Sequence, residues 1–201
     1  MGLKFSYTLL APVYDFIVSN ATQPMRISSI QRLNHTTPQS VLINGIGTGL
    51  DIPFLPDQHN YTGIDITPAM LAKCKQRLNA SRLKLHLQNA DAMKLPFADN
   101  QFDVVLMNLI LAVVPNPLKA LQEAIRVTKP HGKIYIMDKF LPNGKLALIR
   151  RSINLIMQHI ATRTDVVFEP LLKNCPEAKL LKDTPSLLNG WFRLIDLEKM
   201  H

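Results

Sequence analysis

The sequence predicts an α/β domain built on a mainly parallel sheet. Short runs rich in β-branched and aromatic residues alternate with helical patterns through the middle of the chain, which is typical of successive β–α–β units. A glycine-rich turn, residues 45–49, directly follows the first of these runs. Two further β-like runs end the chain with Asn189 and Gly190 between them, which indicates an antiparallel hairpin. These three observations favour a parallel α/β body that a hairpin completes.

Length, charge and cysteine content limit the possible classes. The chain has 201 residues, 47% hydrophobic and 19% charged, so we expect one domain with a substantial core. The net charge of +8 favours anionic partners, although a merely solubilising excess of lysine explains it equally well. Cys74 and Cys175 match no metal-ligand spacing, so we expect no metal site and a reduced, cytoplasmic protein. Polar residues interrupt the apolar runs of residues 1–20, so we expect neither a signal peptide nor a membrane span there.

The first predicted elements follow the order of a parallel sheet. Residues 40–44 predict a buried strand, and residues 61–65 predict a second. Residues 68–78 predict a helix, with Thr67 as its N-cap and a proline at its first position. Residues 83–89 alternate in polarity, as a third strand does.

The next elements continue this alternation. The stretch 102–111 begins as a buried fourth strand, and residues 132–138 predict a fifth. Between them, residues 116–129 predict an amphipathic helix that Asn116 caps and Pro130 stops. We therefore expect at least five strands with helices in the connections.

The two ends of the chain differ from this core. Residues 144–162 form a long apolar and basic stretch with a helical pattern. Residues 178–199 predict two strands around a turn at Asn189 and Gly190. The first 35 residues predict one or two helices that lie across the ligand edge of the sheet.

Several glycine and polar residues end or follow the predicted strands. Ligands of an open parallel sheet bind beyond the carboxyl ends of its strands. Glycines there let the backbone approach a ligand, and a carboxylate can accept hydrogen bonds from a ribose diol or an adenine amino group. The turn lacks the third glycine of a dinucleotide-binding loop, because Leu50 takes that position. The candidate ligand residues are Gly45, Gly47, Gly49, Asp65, Asp91, Asn108 and Leu109.

Between residues 40 and 140 the sequence resembles the class I S-adenosylmethionine-dependent methyltransferases. The similar stretches are VLINGIGTG, YTGIDITPAML, NADAMKLPFADNQFDVVLMN and ALQEAIRVTKPHGKIYIMD. The resemblance implies a Rossmann-like, seven-stranded, mostly parallel sheet in the order 3-2-1-4-5-7-6, with strand seven antiparallel, and S-adenosyl-L-methionine as cofactor. Residues 1–201 would form a single methyltransferase domain. Its parts would be an N-terminal helical lid (1–35), a cofactor-binding core (36–140), substrate-side helices (141–176) and a C-terminal hairpin (177–201).

The resemblance also implies roles for individual residues. The turn would surround the methionine part of the cofactor, a carboxylate would hold the ribose, and apolar side chains would pack on adenine. Asn108 and Leu109 would line the path to the methyl group. The implied cofactor-binding residues are Gly45, Gly47, Gly49, Asp65, Ile66, Met70, Asp91, Ala92, Asn108 and Leu109.

Ile43 departs from the family pattern. The family usually has an acid at this position that helps to hold the amino group of the cofactor, and loss of such a charge-assisted hydrogen bond costs about 1.5–3 kcal/mol. Asn44 is expected on the opposite face of its strand and so is poorly placed to compensate. An alternative reading is therefore a cofactor-binding or membrane-associated protein without turnover.

The segment YTLLAPVYDFIV and the sequence VVPNP at residues 113–117 narrow the resemblance. They are similar to small bacterial phosphatidylethanolamine N-methyltransferases and, more distantly, to ubiquinone/menaquinone C-methyltransferases. This likeness implies that Tyr7 and Tyr14 reach the cofactor or the acceptor as catalytic residues, and that Arg26 binds a carboxylate or phosphate. After strand four the chain lacks the N-P-P-Y/F motif of nucleobase and glutamine methylation, and it has no aromatic-basic array, so no nucleic acid partner is expected.

Charge supports a lipid substrate. Between Lys119 and Arg151 there are eight basic residues and two acidic ones. Lys139, Arg150 and Arg151 follow strand five, where they could meet headgroup phosphates or the anionic inner face of a membrane. An ordinary solvated basic helix face explains the same charge. A soluble aromatic, heterocyclic or quinone-like acceptor also suits an apolar lid.

Overall fold

A computed structural model describes residues 22–141 and 166–201. Its seven strands form one sheet in the order β3-β2-β1-β4-β5-β7-β6. β7 runs antiparallel to β5 and β6, and the other neighbours are parallel. The strand order and directions implied by the resemblance are confirmed. The strands are β1 (Ser40–Asn44), β2 (Asn60–Asp65), β3 (Lys84–Asn89), β4 (Phe102–Asn108), β5 (Thr128–Lys139), β6 (Ala178–Pro185) and β7 (Phe192–Lys199).

Helices cover both faces of this sheet. Asn116 caps one of them as predicted, because its Oδ1 accepts a hydrogen bond from the Lys119 N–H at 3.0 Å. Thr67 is the N-cap of another, as predicted, although its side chain makes no capping hydrogen bond. The helices are α1 (residues 22–30), α2 (Pro68–Leu78), α3 (Pro117–Val127), α4 (Phe168–Lys173) and α5 (Leu187–Gly190), with a 3-10 turn at Ile52–Phe54.

The strand that begins the stretch 102–111 ends at Asn108, because Leu109 adopts a positive φ of 58° that breaks the extended backbone. The predicted start of the fifth strand was wrong. The fifth strand begins at Thr128 rather than at residue 132. The backbone is already extended there (ψ 137°), and the residue pairs with Phe102 of β4.

The predicted terminal hairpin is present, but its turn is not. β6 and β7 pair antiparallel. The four-residue helix α5 connects them instead of a two-residue turn at Asn189 and Gly190. The Ser186 N–H donates to the Phe192 carbonyl at 2.7 Å and closes the connection, and Gly190, at φ 83°, ends the helix.

The core consists of two clusters, one on each face of the sheet. Buried side chains of α3 and α4 pack with β4, β5 and β7 on one face. Side chains of α2 and of residues 30–33, at the end of α1, pack with β1 and β4 on the other. Arg32 fixes the end of α1, because it donates to the Ile195 carbonyl (3.1 Å) and to Asp196 Oδ1 (2.6 Å). α1 is thereby held beside the carboxyl ends of the central strands.

Part of the predicted chain lies outside the described residues. This applies to Tyr7, Tyr14, Arg150, Arg151 and the helical pattern at 144–162. The division of the chain into lid, core, substrate-side helices and hairpin stays a prediction. Within residues 22–141 and 166–201, no helix has the length and apolarity needed to cross a membrane, and no group of three or more metal-ligating side chains occurs.

Candidate functional site

A cavity of about 320 Å³ lies at the carboxyl ends of β1 to β4. This volume falls within the range of small-molecule sites. Segments that follow four successive parallel strands line it, as expected for a ligand at this edge of a sheet. Nine of the ten residues predicted to contact a cofactor are among its walls: Gly45, Gly47, Asp65, Ile66, Met70, Asp91, Ala92, Asn108 and Leu109.

Positive φ angles and close contacts shape the glycine turn after β1. Gly45 has φ 84°, and a Cβ there would lie 2.7 Å from Cδ1 of Ile110. Gly47 has φ 58°, and a Cβ there would meet no atom of the described residues within 4 Å, its two chain neighbours apart. The Gly47 N–H donates to Asp65 Oδ2 at 3.0 Å, which joins the turn to the end of β2. Gly47 thus leaves open space beside the backbone, where a ligand can approach.

Gly49 does not line the cavity. It has φ 80°, and a Cβ there would lie 2.7 Å from Cδ1 of Ile52 and 2.8 Å from Sγ of Cys74. This glycine therefore lets the turn pack against the 3-10 turn and α2, and its predicted contact with a cofactor stays untested.

Asp65 is the carboxylate at the end of β2. Its Oδ2 accepts the Gly47 N–H, and its Oδ1 accepts the Thr67 N–H at 2.8 Å. Burial raises the pKa of Asp65, and these backbone hydrogen bonds oppose that rise because they stabilise the anion. Each oxygen keeps a lone pair, so the fixed carboxylate can still accept hydrogen bonds from a diol.

Apolar and acidic groups from α2 and the loop after β3 form the next wall. Ile66 is 43% exposed although it is a large aliphatic residue, and Met70 lines the cavity from the first turn of α2. Asp91 Oδ1 accepts the Met93 N–H at 2.8 Å, which fixes the loop. An exposed aliphatic surface beside a carboxylate suits a flat heterocycle with a polar edge.

A buried network joins α1 to the other side of the cavity. Arg26 Nη1 donates to Asp51 Oδ1 at 2.7 Å. Asn108 Nδ2 donates to Asp51 Oδ2 at 3.0 Å. The Ser29 hydroxyl donates to Asn108 Oδ1 at 2.7 Å. Our sequence reasoning missed Asp51, although an acid two residues after the last glycine of the turn is a visible signal.

Arg26 and Lys139, two of the residues predicted to bind a headgroup, lie in different surroundings. Arg26 lines the cavity but is only 8% exposed, and the carboxylate that it binds belongs to Asp51. Lys139 is half-buried at the end of β5 and does not line the cavity. Burial lowers the pKa of its ammonium group.

Asp138 supports the loop that follows β4. It is fully buried, its Oδ2 accepts the Ala112 N–H at 3.1 Å, and its Oδ1 accepts the Lys139 N–H at 2.8 Å. Burial raises its pKa to about 6. Because residues 108–115 include a wall of the cavity, Asp138 stabilises that wall from behind.

Ile43 and Asn44 end β1 beneath the cavity. Ile43 is 1% exposed and packs in the cluster on the α1 and α2 face. Asn44 is fully buried and lines the cavity, and both polar atoms of its side chain lack a hydrogen-bond partner among the described residues. A buried unpaired amide costs roughly 1–3 kcal/mol, which a polar ligand or an ordered water molecule can offset.

Comparison with known proteins shows what kind of enzyme this site belongs to. Residues 42–136 match the model of a methyltransferase domain family. A phosphatidylethanolamine N-methyltransferase from Cereibacter sphaeroides is 26% identical over 190 residues, 93% of each chain. The chain is an S-adenosylmethionine-dependent methyltransferase. A demethylmenaquinone methyltransferase from Desulfitobacterium hafniense is 40% identical over 88 residues, which are 43% of this methyltransferase and 35% of that protein.

Solved structures share the fold of the methyltransferase. The cyclase SpnF superposes with a TM-score of 0.78 at 16% identity and covers 98% of this chain and 94% of its own. An S-adenosylmethionine-dependent methyltransferase from Thermotoga maritima superposes with a TM-score of 0.71 at 17% identity. The superposition covers 98% of this chain and 99% of that protein. These likenesses establish the class I architecture, which also carries other chemistry.

S-adenosylmethionine, the cofactor of such methyltransferases, fits the residues that are present. Open space at Gly47, the fixed carboxylate of Asp65 and the exposed side chain of Ile66 match its methionine, ribose and adenine parts in turn. The unpaired amide of Asn44 indicates that this cavity holds a polar ligand or water.

Proposed function

We propose that this methyltransferase methylates the amino group of phosphatidylethanolamine or a closely similar headgroup. The main support is the relative from Cereibacter sphaeroides, because that likeness covers 93% of both chains. The likeness therefore extends beyond residues 42–136 on both sides, into segments that are available to bind an acceptor. The domain family match is limited to residues 42–136 and carries no information about those segments.

The wall after β4 suits a reaction that depends on position and desolvation. Apolar side chains of Leu109, Ile110, Val113 and Val114 line it. Among the described residues that line the cavity, none is a lysine or histidine. An alkylammonium acceptor has a pKa near 10.4 in water, and an apolar surrounding lowers that pKa, which yields the neutral amine nucleophile.

The cofactor supplies an electrophilic methyl group on its sulfonium. The chain contributes binding, orientation and exclusion of water, which together account for much of the acceleration of such transfers. Tyr7 and Tyr14 are the proposed groups that contact the acceptor amine. Asn108 and Leu109 are proposed to line its approach.

Positive charge is proposed to hold the phosphate of the headgroup. Lys139 ends β5, and Arg150 and Arg151 follow it in the sequence, within a region of eight basic and two acidic residues. Each basic residue near an anionic bilayer contributes about 1 kcal/mol to attraction. Peripheral contact with the inner face of a membrane is part of this proposal.

A quinone-like or other soluble aromatic acceptor is the second candidate. Its support is the 40% identity to the demethylmenaquinone methyltransferase, together with the apolar wall. That likeness covers only 43% of this chain. It weighs less than a likeness over the whole length, because a cofactor-binding core is common to many acceptors.

An assay with methyl-labelled cofactor separates the two candidates. Purified protein is incubated with vesicles of phosphatidylethanolamine, with vesicles of phosphatidylcholine, or with a demethylated quinone, and the products are identified by mass spectrometry. We expect one to three methyl groups on phosphatidylethanolamine and none on phosphatidylcholine, whose nitrogen is already fully methylated. Label on the quinone alone, or on no acceptor, would contradict the proposal.

A further inference from the structure

We propose that Arg26 anchors the α-carboxylate of the cofactor, so that this chain recognises the amino acid end of S-adenosylmethionine through its carboxylate. The inference depends on the cofactor assignment and not on the acceptor proposed above. It assigns Arg26 to the cofactor rather than to a lipid phosphate.

The usual acid of the strand end is absent from the cavity. Ile43, at that position, is buried in the core with Ile30 and Ile52. Asp51 is the nearby acid of the same loop, but it is 2% exposed and does not line the cavity. Its two oxygens already accept hydrogen bonds from Arg26 and Asn108. Neither position offers a free carboxylate to an ammonium group.

The charges around the cavity favour recognition of the carboxylate of the amino acid rather than of its ammonium group. Among the described residues that line it, Arg26 is the sole cation, and the two acids are Asp65 and Asp91. Those acids lie at the ends of β2 and after β3, on the side expected for the nucleoside. A carboxylate that enters a largely apolar cavity needs a paired cation, because burial of an unpaired charge is costly.

The guanidinium of Arg26 has donors to spare. Its Nε donates to Thr22 Oγ1 at 3.0 Å, and its Nη1 donates to Asp51 Oδ1 at 2.7 Å. Its Nη2 makes no hydrogen bond with any residue in the described parts of the chain. Since a guanidinium has five N–H donors, three remain for a ligand.

The network behind Arg26 fixes where those donors lie. Asp51 is held by Asn108, which is held in turn by the Ser29 hydroxyl, one helical turn along α1 from Arg26. Asn108 itself lines the cavity. Arg26 is therefore pre-organised at the edge of the cavity before a ligand arrives, which lowers the entropic cost of binding.

Two ligands that differ only in the carboxylate test this inference. Calorimetry gives the Kd of S-adenosylmethionine and of decarboxylated S-adenosylmethionine for the wild type, for Arg26→Gln and for the matched surface control Arg82→Gln, which is exposed. We expect Arg26→Gln to weaken S-adenosylmethionine binding by about 10- to 100-fold, the loss of one charge-assisted interaction. Binding of the decarboxylated ligand should change by less than about twofold, and Arg82→Gln should change neither.

The double variant Arg26→Gln/Asp51→Asn guards against misfolding, because it removes both charges of the buried pair. It should discriminate between the two ligands as poorly as Arg26→Gln. Equal weakening of both ligands, or unchanged binding of S-adenosylmethionine, would overturn the inference. Failure of the wild type to bind S-adenosylmethionine at all would instead contradict the cofactor assignment.

Discussion

The two glycines at positions 47 and 49 should separate cofactor binding from folding. Both adopt positive φ, 58° and 80°, so an alanine at either position is strained by roughly 1–2 kcal/mol. At Gly49 the new methyl group would also lie 2.7 Å from Ile52 and 2.8 Å from Cys74, an overpacking that costs about 1–3 kcal/mol more. At Gly47 the methyl group would meet no atom within 4 Å from residues 22–141 and 166–201, apart from its chain neighbours, and would project into the cavity.

We therefore expect Gly47→Ala to lower the free energy of unfolding by about 1–2 kcal/mol and Gly49→Ala by about 2–5 kcal/mol. Cofactor binding should show the reverse order. Gly47→Ala should weaken S-adenosylmethionine at least about tenfold, or 1.4 kcal/mol, because its methyl group takes space that the ligand needs. Urea unfolding followed by circular dichroism gives the stabilities, and calorimetry gives the affinities.

Two outcomes would refute this reasoning. If Gly47→Ala binds S-adenosylmethionine as tightly as the wild type, the turn does not hold the cofactor. If Gly47→Ala is as unstable as Gly49→Ala, the open space at Gly47 does not exist in solution.

Two further predictions concern buried carboxylates. Asp51→Asn leaves the guanidinium of Arg26 buried and uncompensated, so urea unfolding should show that the free energy of unfolding falls by about 3 kcal/mol. The control is Asp99→Asn, in an ion pair whose carboxylate is 69% exposed, and its free energy of unfolding should fall by less than about 1 kcal/mol. Burial raises the pKa of Asp138 from 3.8 to about 6. Between these two values the folded protein keeps a proton on this carboxyl group that the unfolded chain releases. The stability that this proton contributes is full below about pH 4 and is lost as the pH rises through about 6. The difference in unfolding free energy between wild type and Asp138→Asn should change by on the order of 3 kcal/mol between pH 4 and pH 7, and a difference independent of pH would contradict the raised pKa.

The sequence predicted the strands of the core well because each is a buried run with a clear end. β1 has the same bounds, residues 40–44, in the prediction and the structure. The connection between β6 and β7 was wrong because Asn189 and Gly190 give only a local signal. The pairing of β6 with β7 extends from Pro185 and Arg193 onward, and it leaves a longer connection that folds as a helical turn.

The residues on the two sides of the cavity also differ in how well the sequence predicts them. The nucleoside side could be predicted, because Asp65 ends one strand, Asp91 closely follows the next, and the sheet brings such positions together. The network of Arg26, Asp51 and Asn108 could not. Its members lie 25 and 57 residues apart in the chain, and only the packing of α1 on the sheet brings them into contact.

Calorimetric titration of S-adenosylmethionine into the wild type and Asp65→Ala tests the central claim most directly. The claim is that the cavity at the ends of β1 to β4 holds the cofactor and that Asp65 binds its ribose. We expect one cofactor per chain and a weakening of at least about tenfold in the variant, since two hydrogen bonds to a carboxylate are lost. No binding by the wild type at millimolar cofactor, or equal affinities of the two proteins, would contradict it.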